Sequence, residues 1–189
     1  MHKYVHPAPH PLRTERLSLT DLVDDEFAAY YAIDLDPRVT PYVGDRQPET
    51  RSFEQYRDAE RARFADGIGE HFHIWTIREH GSDEVLGRVM LRPLRGTEHV
   101  AVGYRLTPSR WGKGYATEAT RAALDYGFNV AHLDEITATA LEENVASHRV
   151  LTRCGFVRDG VLNRGNDATL LFRLSVSRYR MNAISAVHE

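Results

Sequence analysis

Apolar positions along this chain switch between strict alternation and helical spacing, and each switch marks an element. Alternation predicts a strand over Leu12–Thr20, with Leu17 and Leu19 on one face. Another spans His71–Arg78, where Phe72, Ile74 and Thr76 oppose His73, Trp75 and Ile77. The same pattern predicts strands over Val85–Leu91, Val100–Leu106, Glu135–Ala140, Phe156–Leu162 and Thr169–Val176. Helical spacing begins after a cap at Asp24 or Asp25 and runs to about Asp34, carrying Phe27, Tyr30 and Tyr31. A second helix covers about Glu49 to Asp66, with Phe53, Tyr56 and Phe64 among many charges. A third carries Ala119, Ala122, Ala123 and Tyr126 on one face. A fourth is capped by Asn144, presents Ser147, Val150, Leu151 and Cys154, and stops at Gly155.

The intervals read as connections. Asp36–Pro48 is rich in proline and reads as a loop, and Asn163–Asp167 as a turn. Residues 1–11, with His2, His6 and His10 among prolines, read as a flexible arm, because proline prevents a helix from aligning those histidines on a metal. Residues 12–176 then form one domain, and 177–189 a tail. At 189 residues the chain is long enough to bury a sizeable core. Its net charge of -3 argues against a nucleic-acid partner. One cysteine, Cys154, excludes an internal disulfide and fits a reducing compartment. Its place on an apolar helix face predicts a buried, inert thiol. With no apolar run of membrane length and no apolar signal core, a cytoplasmic location away from membranes is expected. His71 and His73 share a strand face but lack a third ligand, so no metal is expected.

The stretch Leu106–Ala119 organises the rest. A strand leads in, a helix leads out, and between them lies a turn with Gly112, Lys113 and Gly114. Glycine lets backbone approach a ligand closely, and free N–H groups at a helix start favour an anion, so the segment reads as a phosphate cradle. It is not a nucleotide P-loop, because Tyr115 follows Gly-Lys-Gly, nor a dinucleotide loop, because Thr117 stands where the third glycine is needed.

Trp111-Gly112-Lys113-Gly114-Tyr115-Ala116 resembles the pyrophosphate loop, Gln/Arg-x-x-Gly-x-Gly/Ala, of the GNAT superfamily of acyl-CoA-dependent N-acyltransferases, departing at the first position. The longer form ending in Glu118-Ala119 is similar to the Rim-type (ribosomal-protein acetyltransferase-like) branch, as is the opening Leu12-Arg13-Thr14-Glu15-Arg16-Leu17-Ser18-Leu19. A third segment, Asn144-x-x-Ser147 followed by Gly155-Phe156, occurs in the family's order. The resemblance covers about Leu12 to Val176 and implies an α/β fold. That fold is a mixed, mostly antiparallel sheet of roughly six to seven strands, splayed at the cofactor site and flanked by about four helices.

The resemblance further implies acetyl-CoA as cosubstrate and a primary amine as acceptor, either a protein N-terminus or a small molecule, in a ternary complex. It assigns the cofactor Tyr104, Arg105 and Leu106 for the pantetheine arm, Gly112, Lys113, Gly114, Tyr115, Ala116 and Thr117 for the pyrophosphate, and Asn144 and Ser147 at the thioester. Lys113 reads equally as a solvated loop lysine, and Arg149 and Arg153 as a ribose-phosphate contact or a solvated helix face. Many relatives carry a glutamate base where this chain has Ala101, and a tyrosine acid where it has Leu151. The base candidates are His99, which shares a strand face with Ala101, Glu98 if a bulge shifts the phase, a water chain, or another carboxylate. Ser147 is the available acid, although a serine near a cap also serves the local backbone. Two alternatives stand: a non-catalytic acyl-CoA sensor, and a transferase of a longer acyl group such as succinyl. Monomer and homodimer are both compatible with the sequence.

Overall fold

The computed structural model describes residues 11–42, 48–66, 73–94, 96–164 and 167–185. Its strands are β1 (Leu12–Arg13), β2 (Leu17–Asp21), β3 (His73–Glu79), β4 (Gly87–Pro93), β5 (Val100–Leu106), β6 (Glu135–Leu141), β7 (Val157–Arg164) and β8 (Asp167–Ser175). They form one eight-stranded sheet in the order β1-β2-β3-β4-β5-β6-β8-β7. Every neighbouring pair is antiparallel except β5 and β6. That parallel pair is joined by α3 (Tyr115–Asn129), as a parallel connection requires a crossover.

The α-helices are α1 (Phe27–Asp34), α2 (Phe53–Asp66), α3, α4 (Val145–Arg153) and α5 (Val176–Ser185). Two apolar layers hold them to the sheet. On one face Trp75, Val89, Leu91, Val102 and Leu106 pack against Ala119, Ala123 and Tyr126 of α3 and Leu151 of α4. On the other, Ile74 and Met90 meet Phe27 and Tyr30 of α1 and Tyr56 and Phe64 of α2. Alternation along each strand sends neighbouring residues to opposite layers. On β5, therefore, Val102, Tyr104 and Leu106 look towards α3, and Ala101, Gly103 and Arg105 towards α1 and α2.

β4, β6, β7 and β8 begin or end one or two residues from the predicted bounds, and four further differences follow. The first strand is broken into β1 and β2, paired as a hairpin with Leu12 opposite Leu19. The break lies at Thr14, whose hydroxyl donates to Glu118 at 2.5 Å, while the Arg16 N–H donates to the same oxygen at 2.8 Å. The turn is closed locally, by Thr14 N–H to the Leu17 carbonyl at 3.0 Å and Leu17 N–H to Thr14 Oγ1 at 2.9 Å, and a carboxylate a hundred residues away braces it. The helix expected from Asp24 begins with a 3₁₀ turn over Asp24–Glu26, where the Glu26 carboxylate accepts the Val23 N–H at 2.9 Å. The second helix starts at Phe53 rather than Glu49, because Ser52 and Gln55 exchange side-chain-to-backbone bonds in a capping box. Beyond residue 176 the tail winds into α5, whose Tyr179 packs on Phe128 of α3 with ring centroids 4.7 Å apart. The His-containing arm, His71 and the Gly165 turn lie outside the described residues.

Candidate active site

The sheet opens at its centre. β5 and β6 pair in register only at Ala101 and Thr137, where the Thr137 hydroxyl also donates to the Val100 carbonyl at 3.1 Å. Past that point β5 continues to Leu106 with its β6-facing edge unpaired. The regular ladder to β4, fixed at its ends by Leu94 N–H to His99 O and Thr107 N–H to Leu86 O, turns odd-numbered peptide groups towards β4. Tyr104 and Leu106 therefore present backbone to the opening, and Arg105 does not: its peptide groups belong to the β4 ladder. The Leu106 carbonyl is taken by the Trp111 indole N–H at 2.8 Å.

Below the opening, Gly112 and Gly114 hold φ of 75° and 83°, the left-handed region that favours glycine. Gly114 is the N-cap of α3 and contributes no side-chain cap bond. The first amides of a helix lack intrahelical partners, so those of Tyr115, Ala116 and Thr117 face outward together. A Cβ on Gly112 would meet nothing within 4 Å, which leaves the approach clear. Lys113 is exposed. Its carbonyl accepts from Arg16 at 3.0 Å, and the Arg16 guanidinium also pairs with Glu118 at 2.6 Å and lies 4.6 Å over the Tyr115 ring. The two segments Leu12–Leu19 and Trp111–Ala119 are thus one structure: Arg16 braces the glycine turn and neutralises the carboxylate in the first turn of α3. A cleft of about 770 Å³ runs from here between Arg16, Gly114, Thr117, Arg121 and Arg153. Arg149 is exposed on α4.

Across the opening stands the start of α4. The Asn144 side chain accepts the Ser147 N–H at 3.0 Å, which caps the helix and fixes Ser147 in its first turn. The Tyr104 hydroxyl reaches over from β5 to within 2.6 Å of Ser147 Oγ and 3.3 Å of its carbonyl. Burial pushes the Tyr104 phenol well above its ordinary range, against the opposing hydrogen bond from Ser147, so it stays protonated. Leu151 is 1% exposed and belongs to the core, which explains an apolar residue there. Cys154 is buried with its thiol pushed up to about 12 by burial, consistent with an inert sulfur.

Of the two base candidates on the chain entering β5, His99 lies on the α1–α2 face with Nδ1 3.5 Å from Glu135, a carboxylate that Arg173 holds at 2.5 Å. Glu98 is exposed in the preceding turn, and the unshifted register of β4 with β5 provides no bulge that would move it into phase.

One cluster was missed in the sequence. On the α1–α2 face Asp34 accepts from the Tyr56 hydroxyl at 2.9 Å and from Arg105 at 2.5 Å, with Arg88 at 3.4 Å. Arg88 is 2% exposed, stacks 4.6 Å from the Tyr30 ring and lies 3.9 Å from Glu60. Burial alone would raise the Asp34 carboxyl, but the Arg88 and Arg105 guanidiniums outweigh it and hold it below its ordinary value. The available signal was a charge inside an apolar run, Asp34 ending Phe27–Ile33 and Arg88 within Gly87–Leu91.

The description "Acetyltransferase (GNAT) domain" matches residues 16–157, an interval that holds the glycine turn, the opening and the α4 cap. The chain belongs to the GNAT acetyltransferase family. It is 32% identical over 155 residues to YoaA of Bacillus subtilis, an uncharacterised N-acetyltransferase, covering 81% of this chain and 86% of that one. Among solved structures it resembles spermidine N-acetyltransferase from Vibrio cholerae in complex with CoA and spermine, at 19% identity and a TM-score of 0.72, over 87% of this chain and 98% of that one. It likewise resembles AAC(6')-Ib in complex with ribostamycin and CoA, at 15% identity and a TM-score of 0.75, over 88% and 97%. At those identities the two structures speak to fold alone. The family match and the relatives named as N-acetyltransferases make this chain an N-acetyltransferase of the GNAT family. Among the described residues no group of three or more His, Cys, Asp and Glu is placed to hold a metal, and no helix is long and apolar enough to cross a membrane.

Proposed function

We propose that this GNAT protein transfers the acetyl group of acetyl-CoA to a primary amine by direct attack in a ternary complex. The observation that carries the reading is the opening between β5 and β6, with free helix-start amides at one end and a hydroxyl pair at the other. The amides of Gly112 to Thr117 suit the pyrophosphate, and the open edge of Tyr104 and Leu106 suits the amide-containing arm. The cleft past Arg121 and Arg153 suits the nucleotide end. Spermine and ribostamycin, in the complexes of two structural neighbours, are both amines, which supports an amine acceptor here.

The acceptor reaches the thioester from the α1–α2 face, because α3 covers the other. Its nitrogen attacks the carbonyl carbon, the C–S bond breaks, and the nitrogen loses a proton. His99, on that face and oriented by Glu135, is the group assigned to receive this proton through solvent. The thiolate leaves towards the α4 end, where Ser147 Oγ–H donates to sulfur. The Tyr104 hydroxyl, kept protonated by burial, donates to Ser147 Oγ and so turns the serine proton outward. The test is release of CoA thiol from acetyl-CoA against amines, peptide N-termini and aminoglycosides, with succinyl-CoA as a second donor. Binding of acetyl-CoA without release under any of these would instead support a sensor.

A further inference from the structure

The charged cluster at the α1–α2 end of β5 has hydrogen-bond donors left over. Both Asp34 oxygens are engaged, Oδ1 by Arg105 and Oδ2 by Tyr56 and Arg88. Glu60 is shared by Arg63 at 3.2 Å and Arg88 at 3.9 Å. Both buried carboxylates thus already face guanidiniums. Arg88 is held loosely: its contacts to Tyr56 and Asp34 are 3.4 Å each, long for bonds to a charged group, and its buried Nε has no partner among the described residues. Arg105 spends only one nitrogen, Nη1, on Asp34, and its side chain is 23% exposed. Arg88 and Arg105 thus share Asp34, Arg88 also faces Glu60, and the partly exposed Arg105 keeps N–H groups beyond its bond to Asp34.

Position gives that surplus a use. Arg105 follows Gly103 and Ala101 on the same face of β5, the face from which an acceptor must come. One strand residue, Tyr104, separates Arg105 from Gly103, about 7 Å along the chain, a distance comparable to the length of an arginine side chain. A group bonded to Arg105 could therefore stand beside an amine at the opening. Free, coplanar guanidinium N–H groups fit a carboxylate in two parallel bonds.

Resting on the acetyl-transfer reading above, we propose that the acceptor is a primary amine that carries a carboxylate, and that Arg105 is the residue that binds this carboxylate. An amino acid or a small aminocarboxylate has that form. A polyamine lacks that group and would bring a second positive charge beside the two guanidiniums.

The experiment compares acceptors that differ only at the carboxyl group: the amino acids, each beside its amide, with spermidine as the polycation, all read by thiol release from acetyl-CoA. The amide's amine is the less basic of each pair, so chemistry alone favours the amide at neutral pH. A carboxylate preference must overcome that bias. Expected is a kcat/KM at least about tenfold higher for the best amino acid than for its amide, and little turnover of spermidine. In Arg105→Gln that preference should vanish through a raised KM, with turnover of the amide and the KM for acetyl-CoA unchanged. Arg105→Lys should keep part of it. Equal use of acid and amide by the wild-type protein, or spermidine as best acceptor, overturns the proposal while acetyl transfer stands. So does a loss in Arg105→Gln that is equal for both acceptors while the melting temperature is kept. Absence of thiol release with every amine overturns acetyl transfer, and this proposal with it. The wild-type comparison decides even if neither variant folds.

Discussion

The Tyr104 hydroxyl lies 2.6 Å from Ser147 Oγ, and this contact spans the gap where β5 and β6 part. Tyr104 comes from the strand that leads into the glycine turn and Ser147 from the helix capped by Asn144. The pair puts two hydroxyls beside the first turn of α4, one turn before Leu151, which belongs to the core.

From this contact, Ser147→Ala should lower kcat by about ten- to a hundredfold while acetyl-CoA affinity is nearly kept, as expected of an interaction made mainly in the transition state. Tyr104→Phe keeps the ring and removes the donor, and should lower kcat by a smaller factor. The double variant should be no worse than Ser147→Ala alone, because Tyr104 acts through the serine. Steady-state rates and calorimetric CoA affinities of the three proteins check this. Additive losses would detach Tyr104 from Ser147.

Gly114→Val should weaken CoA binding by at least about tenfold, which is ~1.4 kcal/mol. A β-branched residue strains the φ of 83° that caps α3, and its Cβ would stand 3.4 Å from the Arg16 guanidinium that braces the turn. Titration calorimetry with CoA, alongside a melting curve to confirm a folded variant, measures it. Unchanged affinity would remove the glycine turn from the cofactor site.

His99→Ala should reduce kcat/KM at neutral pH by about ten- to a hundredfold, with partial recovery at higher pH as free amine accumulates. Glu98→Ala, measured beside it, tests the other candidate on the same turn. A wild-type pH–rate profile in both variants would send the proton out by another route.

Asp34→Asn should destabilise the protein by about 3–5 kcal/mol, because it leaves the buried Arg88 guanidinium without its main counter-charge. The folded Asp34 carboxyl is held below its ordinary value, so its contribution is complete above the unfolded-state value of about 3.9 and is lost as pH falls through the lower folded one. Urea unfolding of both proteins should show a wide gap at pH 7 that narrows below about pH 4. A constant gap across that range would show that the charge of Asp34 is not what stabilises the cluster.

Much of this protein was legible as pattern. Alternating residues located the strands because a half-buried strand must alternate, and the glycines at 112 and 114 located the turn before α3 because few other residues hold a positive φ. Asn144 marked the start of α4 because a side-chain acceptor at that point satisfies an amide the helix leaves open. These are local requirements, met within a few residues of chain, and a sequence states them directly. What needed the tertiary structure were contacts between segments far apart. Glu118 braces the Thr14 turn and holds Arg16 at the glycine turn, and nothing near residue 14 announces a carboxylate from residue 118. Tyr104 meets Ser147 only because β5 and β6 part after Ala101. Asp34, Arg88 and Arg105 read as unrelated charges until the packing of α1 and α2 on the sheet makes one buried group of them. A charge taken from water requires a partner, but which partner is settled by packing.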